Sequence, residues 1–135
     1  MLVKPLTFMN NSGQAVRAVL DYFKVPSSKL LVAYDDLDLP PGVARLKLGG
    51  GHGGHNGLRD IFNHVQDRDF LRLRIGIGHP GSKEKVTPYV LSRPRLEEQI
   101  SISRAISAAD AVMDDVVSGN LAIAQTKLHT TVEEL

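Results

Sequence analysis

The spacing of apolar and polar residues predicts that helices and strands follow one another along the chain. Residues 43–48 and 71–77 alternate with a period of two, as strands with one buried face do. Residues 30–34 form a short apolar run, which is typical of a buried strand. Helical spacing comes before, between and after these strands. The pattern therefore predicts an α/β fold, a three-layer αβα domain around a mixed, twisted sheet.

Four sets of apolar residues have the spacing of a helix face, at i, i+3, i+4 and i+7 or close to it. They predict two helices in the first half of the chain, a long helix over residues 94–117 and a last short helix. The sets are Val16, Val19, Leu20 and Phe23; Leu58, Ile61, Phe62 and Val65; Ile102, Ile106, Ala109, Met113 and Val116; and Leu121, Ala124 and Leu128.

A glycine-rich loop, residues 49–57, separates the first alternating strand from the second helix. Six glycines surround His52, His55 and Asn56. Glycine costs conformational entropy, so such a cluster indicates that a ligand or another backbone approaches closely. The loop should lie at a helix N-terminus, where free N–H groups favour anions. We expect His55, Asn56 and the N–H groups to bind substrate; a plain turn and a metal held by His52 and His55 are the alternatives.

Three carboxylates, Asp35, Asp36 and Asp38, follow the first predicted strand, at the sheet edge where α/β proteins place their sites. Asp35, predicted to come first after the strand, is best placed to orient a catalytic base. The three carboxylates could also form an acid/base pair or a cation site, while loop capping is the simpler role for Asp36 and Asp38. Asn10 lies in a turn before the first helix, and either caps that helix or binds a substrate carbonyl.

Four cations, Arg45, Lys47, Arg72 and Arg74, fall on the polar faces of the two alternating strands. They form either a solvated face or, with Lys83 and Lys85 of the following loop, a surface for the phosphates of a nucleic acid. The net charge of +1 does not decide between these two roles.

Composition limits the class of protein further. The 135 residues are enough for a single domain with a core, and the whole chain, 1–135, reads as one. The sequence has no cysteine, no apolar run that could span a bilayer, and no signal-peptide pattern at its start. These features predict a cytoplasmic protein without disulfides.

Four motifs together resemble bacterial peptidyl-tRNA hydrolases, and the similarity follows the chain in order, weakening after Pro94. They are TFMNxSG at residues 7–13, DDLDLPPG at 35–42, the glycine loop through GLRDI at 49–61, and LRIGIGHP at 73–80. The resemblance implies hydrolysis of the ester between a peptide and the 3′ ribose of tRNA, which recycles tRNA from stalled translation. It implies no metal and no cofactor.

The resemblance also implies roles for individual residues. Asp35 would orient a histidine that acts as general base, and Asn10 would join the catalytic site. The peptide and the tRNA 3′ end would lie against Phe8, Met9, Asn10, His55 and Asn56. Phosphates of tRNA would bind Arg45, Lys47 and Arg74, and residues 79–85 resemble a flexible lid.

The start of the chain departs from the family pattern, in which a strand, an Asn-Pro-Gly turn and the catalytic histidine come first. The resemblance implies that roughly the first sixty residues of that pattern are missing here. The general base is among them, and such a base accelerates the reaction on the order of 10²–10⁴-fold. His52, His55 and His79 match other family positions. We therefore expect impaired hydrolysis, a sheet without one central strand, and self-association of a fragment whose full-length family is monomeric.

Two other functions remain open at this point. A non-catalytic module that binds tRNA or another RNA would need only the basic residues. A metal-dependent hydrolase would use His52 and His55.

Overall fold

In the computed structural model, which describes residues 1–133 and only the backbone of Lys83 and residues 130–133, helices and strands alternate. The three strands are β1 (Leu31–Asp36), β2 (Ala44–Leu48) and β3 (Leu71–Gly76). The six helices of the described residues are α1 (Ser12–Phe23), α2 (Asn56–His64), α3 (Val86–Leu91), α4 (Leu96–Ala111), α5 (Met113–Val117) and α6 (Leu121–Glu133). The predicted α/β class is confirmed.

The three strands form one mixed sheet in the order β1-β3-β2. Strands β1 and β3 run parallel, because Leu71 N–H donates to the Leu30 carbonyl at one end and Ile77 N–H to the Asp36 carbonyl at the other. Strands β2 and β3 run antiparallel, with Gly49 N–H bound to the Phe70 carbonyl and Gly76 N–H to the Val43 carbonyl. The further strand that the resemblance implies stays a prediction.

The chain divides into two compact units, which we describe separately. The first unit comprises Met1–Val32 and Leu48–Leu71 and contains α1 and α2. Its core consists of the apolar face of α2 and of the residue that precedes β3: Leu58, Ile61, Phe62, Val65 and Phe70. The predicted face of α2 is therefore confirmed in all four residues.

The first residues of the chain differ from the prediction. The sequence LVKPLT at residues 2–7 predicts an extended segment at the end of a strand, yet the structure has no strand there, and the first element is a 3-10 turn, Met9–Asn11. Residues 1–8 are exposed. Pro5 lacks the N–H that a strand pairing would use, which is consistent with this outcome.

The second unit comprises Ala33–Lys47 and Arg72–Leu135, and its buried apolar residues come from β2, β3, α4, α6 and the position between α4 and α5. These residues are Ala44, Leu46, Leu73, Ala105, Ala109, Val112, Ala124 and Leu128. The prediction for α6 is confirmed at Ala124 and Leu128. The face predicted for the long helix over residues 94–117 is wrong at Ile106, which is 51% exposed, because Ala105 takes the buried position of α4 instead.

Helix α6 covers the edge of strand β2. Leu46 N–H donates to His129 Nε2 at 3.2 Å, and Gln125 Nε2 donates to the Leu46 carbonyl at 3.1 Å. Gln125 and His129 are four residues apart and so share one face of the helix. At Leu46, the backbone groups of this edge strand thus have partners, which is one of the ways that proteins prevent edge-to-edge association.

Candidate active site

The predicted site residues divide between the two units. The first unit holds Phe8, Met9, Asn10, His55 and Asn56. The second unit holds Asp35, Arg45, Lys47 and Arg74.

Within the first unit, the 3-10 turn Met9–Asn11 lies against the start of α2. A Cβ atom added at the buried Gly57 would lie 2.6 Å from Met9 Sδ and 3.1 Å from His55 Cε1. Both side chains therefore lie close to the same backbone position, and a side chain at Gly57 would displace Met9. Residues far apart in sequence, from the turn and from the glycine loop, form one surface here.

This surface combines apolar and amide groups. Phe8 is 82% exposed and Met9 is 57% exposed, so their apolar side chains are available to a ligand. Asn10 and Asn56 are exposed too. The alternative role of Asn10 as a helix cap is wrong, because Asn11 occupies the N-cap position of α1.

His55 is the N-cap of α2. Its Nδ1 accepts a hydrogen bond from Leu58 N–H at 3.1 Å, which satisfies one free donor of the first helical turn. A neutral ring that accepts at Nδ1 carries its proton on Nε2. The bond at the helix start therefore fixes the orientation of the His55 ring beside Gly57.

His52 has a similar local bond, since its Nδ1 accepts from Gly54 N–H at 3.0 Å. Its ring packs edge-on against Phe62 at 5.8 Å between centroids. In the described part of the chain, no cluster of three or more histidine, cysteine and acidic residues could hold a metal ion. The structure thus gives no support to a metal hydrolase built on His52 and His55.

In the second unit, the carboxylates begin earlier than predicted. Asp35 and Asp36 both lie within β1, rather than after it, because the strand extends to Asp36. Asp36 Oδ1 accepts from Asp38 N–H at 2.8 Å, so the expected capping role of Asp36 is observed. Asp35, half-buried, lies next to this loop and on the opposite face of the strand from Asp36.

Arg74 differs from the freely exposed cation that was predicted. Its Nε donates to Asp36 Oδ2 at 2.7 Å, and both side chains are mostly buried. Burial lowers the pKa of Arg74, but the hydrogen bond and the negative charge of Asp36 outweigh this and raise it overall. The guanidinium is therefore held in place and partly neutralised.

Arg72 was predicted to lie on a polar, exposed face, and this prediction is wrong. The side chain is 1% exposed, the largest of the fully buried side chains among the described residues. It hydrogen-bonds Tyr34, whose pKa is raised by burial and by the charge of Asp36, against the opposing effect of Arg72 and Arg74. Arg72 and its neighbour Leu73 point to opposite faces of β3 and both are buried, so neither face is solvated at this point.

The raised pKa of Tyr34 predicts a loss of stability at alkaline pH. An unfolded chain loses the Tyr34 proton near pH 10, whereas the folded protein keeps it to a higher pH. The contribution of Tyr34 to the free energy of unfolding is therefore complete below pH 10 and declines as the pH rises towards the folded pKa. We expect Tyr34→Phe to reduce the decline measured by urea unfolding between pH 9 and 11. Tyr22→Phe, at a side chain that is 80% exposed, is the control and should leave the decline as in the wild type.

The remaining cations vary in exposure. Lys47 is exposed on β2 and Arg45 is half-buried on the same strand. Lys85 is exposed, while the side chain of Lys83 lies outside the described residues. Lys47 and Arg45 keep the placement that the alternation predicted, on the face opposite the buried Ala44 and Leu46.

A helix that the sequence pattern did not predict follows the segment that resembles a lid. Helix α3 (Val86–Leu91) follows directly after residues 79–85, with Pro88 in its first turn, where proline is tolerated. Tyr89 Oη donates to the Ile77 carbonyl and lies close to Gly78. This hydrogen bond connects α3 to the end of β3, and residues 79–85 form the loop between them.

Two residues of the first unit were missed by sequence reasoning. Gly13 N–H donates to Asp60 Oδ2 at 2.7 Å, which joins the first turn of α1 to α2. No local sequence pattern indicated that the Asp60 carboxylate has a partner 47 residues earlier in the chain.

Comparisons with known proteins identify the family. A sequence model of the family described as peptidyl-tRNA hydrolase matches residues 1–134. Similar proteins include the peptidyl-tRNA hydrolases of Alcanivorax borkumensis, 55% identical over 95% of this chain, and Marinobacter nauticus, 51% identical over 96%. A crystal structure of peptidyl-tRNA hydrolase from Acinetobacter baumannii superposes with a TM-score of 0.89 at 46% identity. The chain belongs to the peptidyl-tRNA hydrolase family.

The coverage of these relatives is partial. The chain spans 66% of the length of the Alcanivorax and Marinobacter proteins. The superposition with the Acinetobacter structure includes 93% of this chain and 63% of the Acinetobacter chain. The matches extend over nearly all of this chain and do not by themselves support the expected N-terminal truncation, which stays a prediction. Among residues 1–133, no helix combines the length and the apolar character that crossing a membrane requires.

Proposed function

We propose that this chain recognises peptidyl-tRNA and takes part in hydrolysing the ester between the peptide and the 3′ ribose. Family membership over residues 1–134 and 55% identity to a peptidyl-tRNA hydrolase support this proposal. In the reaction, the oxygen of water bonds to the ester carbonyl carbon, the carbon–oxygen bond to the ribose breaks, and the ribose oxygen takes a proton. The products are a free peptide and a tRNA that translation can use again, and we place the reaction in the cytoplasm.

The observation that carries the proposal is the close approach of both Met9 and His55 to Gly57. It supports a single binding surface for the peptide and the tRNA 3′ end. Phe8 and Met9 supply apolar area for the peptide side chains, while the carboxamides of Asn10 and Asn56 supply both donors and acceptors. His55 caps α2 beside these groups, so its ring lies on the same surface in a fixed orientation.

Asp35 is proposed to orient the imidazole that acts as general base, and Asn10 to bind the reacting end of the substrate. None of His52, His55 and His79 is assigned the role of base. The local bonds of His52 and His55 to Gly54 and Leu58 N–H are consistent with this, because they occupy one nitrogen of each ring.

Phosphates of the tRNA acceptor stem are proposed to bind Arg45, Lys47 and Arg74. Lys47 is exposed and can supply a full positive charge. Arg74 would reach a phosphate with part of its charge already offset by Asp36 at 2.7 Å. Such contacts add affinity without reading sequence, as a substrate class that includes every tRNA requires.

The test measures binding of an N-acetylated aminoacyl-tRNA to the purified chain by fluorescence anisotropy. We expect Asn10→Ala and Asn56→Ala each to weaken binding about tenfold, which corresponds to one lost hydrogen bond of about 1.4 kcal/mol. Asn63→Ala is the matched control, since Asn63 is an exposed carboxamide on the same helix as Asn56. It should bind as the wild type does.

Ester cleavage is followed in the same samples by release of the labelled N-acetylated amino acid. If deacylated tRNA binds as tightly as the acylated form, and Asn10→Ala changes nothing, the chain is an RNA-binding module instead. The slow turnover expected of these 135 residues alone is checked here too, and a rate near that of a full-length relative would contradict it.

A further inference from the structure

Asp60 connects the two segments that form the proposed binding surface. Its Oδ2 accepts from Gly13 N–H at 2.7 Å, in the first turn of α1, where backbone donors have no partner within the helix. Asn11, the N-cap residue of α1, makes no side-chain capping bond of its own. A residue of α2 therefore caps α1, and its negative charge also lies favourably at a helix N-terminus.

The contact between the two helices is close and specific. A Cβ atom added at Gly13 would lie 2.3 Å from the Asp60 carbonyl oxygen and 2.5 Å from His64 Nδ1. His64 Nδ1 also forms a hydrogen bond with the Asp60 carbonyl at 2.8 Å, and the Asp60 side chain is only 19% exposed. Both the side chain and the backbone carbonyl of Asp60 therefore contact Gly13, and together they determine where α1 begins relative to α2.

Sequence proximity extends this constraint to the binding surface. Gly13 follows the 3-10 turn Met9–Asn11 with only Ser12 between them, and the Ser12 hydroxyl donates to the Met9 carbonyl at 2.7 Å. On the other side, Asp60 lies one helical turn after Asn56 on the same face of α2. The bond from Gly13 to Asp60 therefore fixes Met9 and Asn10 beside Asn56.

We propose that Asp60 is a positioning residue for the peptide and tRNA 3′-end surface. The proposal rests on the proposed function for what the surface binds, but the positioning itself can be measured without substrate. Asp60 touches no reacting group; it acts through Gly13 and the Met9–Asn11 turn.

The experiment first records the Met9 methyl signal by NMR, which is simple to assign among three methionines by comparison with Met9→Leu. We expect Asp60→Ala to shift or broaden this signal, because Met9 would lose its fixed place above Gly57. Asp60→Asn keeps an oxygen that can accept from Gly13 N–H, and aspartate and asparagine cap helices about equally well, so the signal should stay. Asp67→Ala is the control, since Asp67 Oδ1 likewise accepts one backbone N–H, from Asp69 at 2.8 Å, in a loop after α2.

The second measurement is affinity for a short 3′-end mimic, an N-acetylaminoacyl-adenosine, and for deacylated tRNA. Asp60→Ala should lose about tenfold in affinity for the mimic, while tRNA binding through phosphates stays unchanged. Asp60→Asn should remain within about threefold of the wild type for both ligands. This split, and the rescue by asparagine, would not arise from a general loss of fold.

Three results would overturn the proposal: an unchanged Met9 signal in Asp60→Ala, an Asp60→Asn variant as impaired as Asp60→Ala, or equal losses for the mimic and for deacylated tRNA. If the wild-type chain does not bind the mimic at all, the proposed function fails. The Met9 signal then still decides whether Asp60 positions the turn.

Discussion

Phe70→Ala is expected to lower the free energy of unfolding by about 3–5 kcal/mol, as large-to-small changes at buried aromatic positions do. Phe70 is 0% exposed and packs edge-to-face against Phe62, with ring centroids 5.9 Å apart. Its truncation removes the centre of the first unit's core and leaves a cavity beside Phe62 and the face of α2. The loss of an aromatic pair adds to the loss of buried area.

Urea unfolding followed by circular dichroism measures this effect, and Phe23→Ala is the matched control. Phe23 is 49% exposed at the end of α1, so the same substitution removes much less buried area there. We expect less than about 1.5 kcal/mol for the control. Similar losses at the two positions would contradict the assignment of Phe70 to the core.

The first unit shows how far the sequence could predict structure. The helical spacing of Leu58, Ile61, Phe62 and Val65 identified the buried face of α2 because one amphipathic helix repeats a strong local pattern. Phe70 belonged to no such pattern. A single apolar residue between a charged loop and a strand gives no period, so its burial follows only from the tertiary structure.

Strand β3 shows where the alternation misleads. The period of two correctly predicted that Arg72 and Leu73 point to opposite faces, but both are buried. Alternation distinguishes the two faces of a strand; it does not say whether the polar one is solvated. In a central strand both faces can be covered, and a guanidinium there needs a partner such as the Tyr34 hydroxyl, which lies on another strand.

The candidate site was predictable in composition but not in geometry. The glycine loop was expected at a helix N-terminus and is found directly before α2. Its contact with Met9 depends on how α1 crosses α2, which Gly13 and Asp60 determine. Such a contact between distant residues leaves no trace in local spacing, and only the resemblance to a family placed Met9, His55 and Asn56 in the same site.

Removing the two cations of β2 is expected to change tRNA binding more than any other surface substitution. Each phosphate contact releases counterions, so its loss reduces the slope of log K against log salt by about 1. The double variant Arg45→Gln, Lys47→Gln should therefore lose a slope of about 2 and bind tRNA roughly 10–100-fold more weakly at low salt. The measurement is anisotropy with labelled deacylated tRNA over a range of salt concentrations.

Arg74→Gln should reduce the salt slope by less than Lys47→Gln does, because the Asp36 carboxylate at 2.7 Å already offsets the charge of the guanidinium.

Substitution of the partner carboxylate, Asp36, tests the same ion pair. Asp36→Asn keeps an oxygen for Asp38 N–H but removes the charge beside Arg74, so it should raise tRNA affinity and steepen the salt slope. If Asp36→Asn and Arg74→Gln both leave the slope unchanged while Lys47→Gln lowers it, Arg74 serves the fold of the sheet and the phosphates bind along β2 alone.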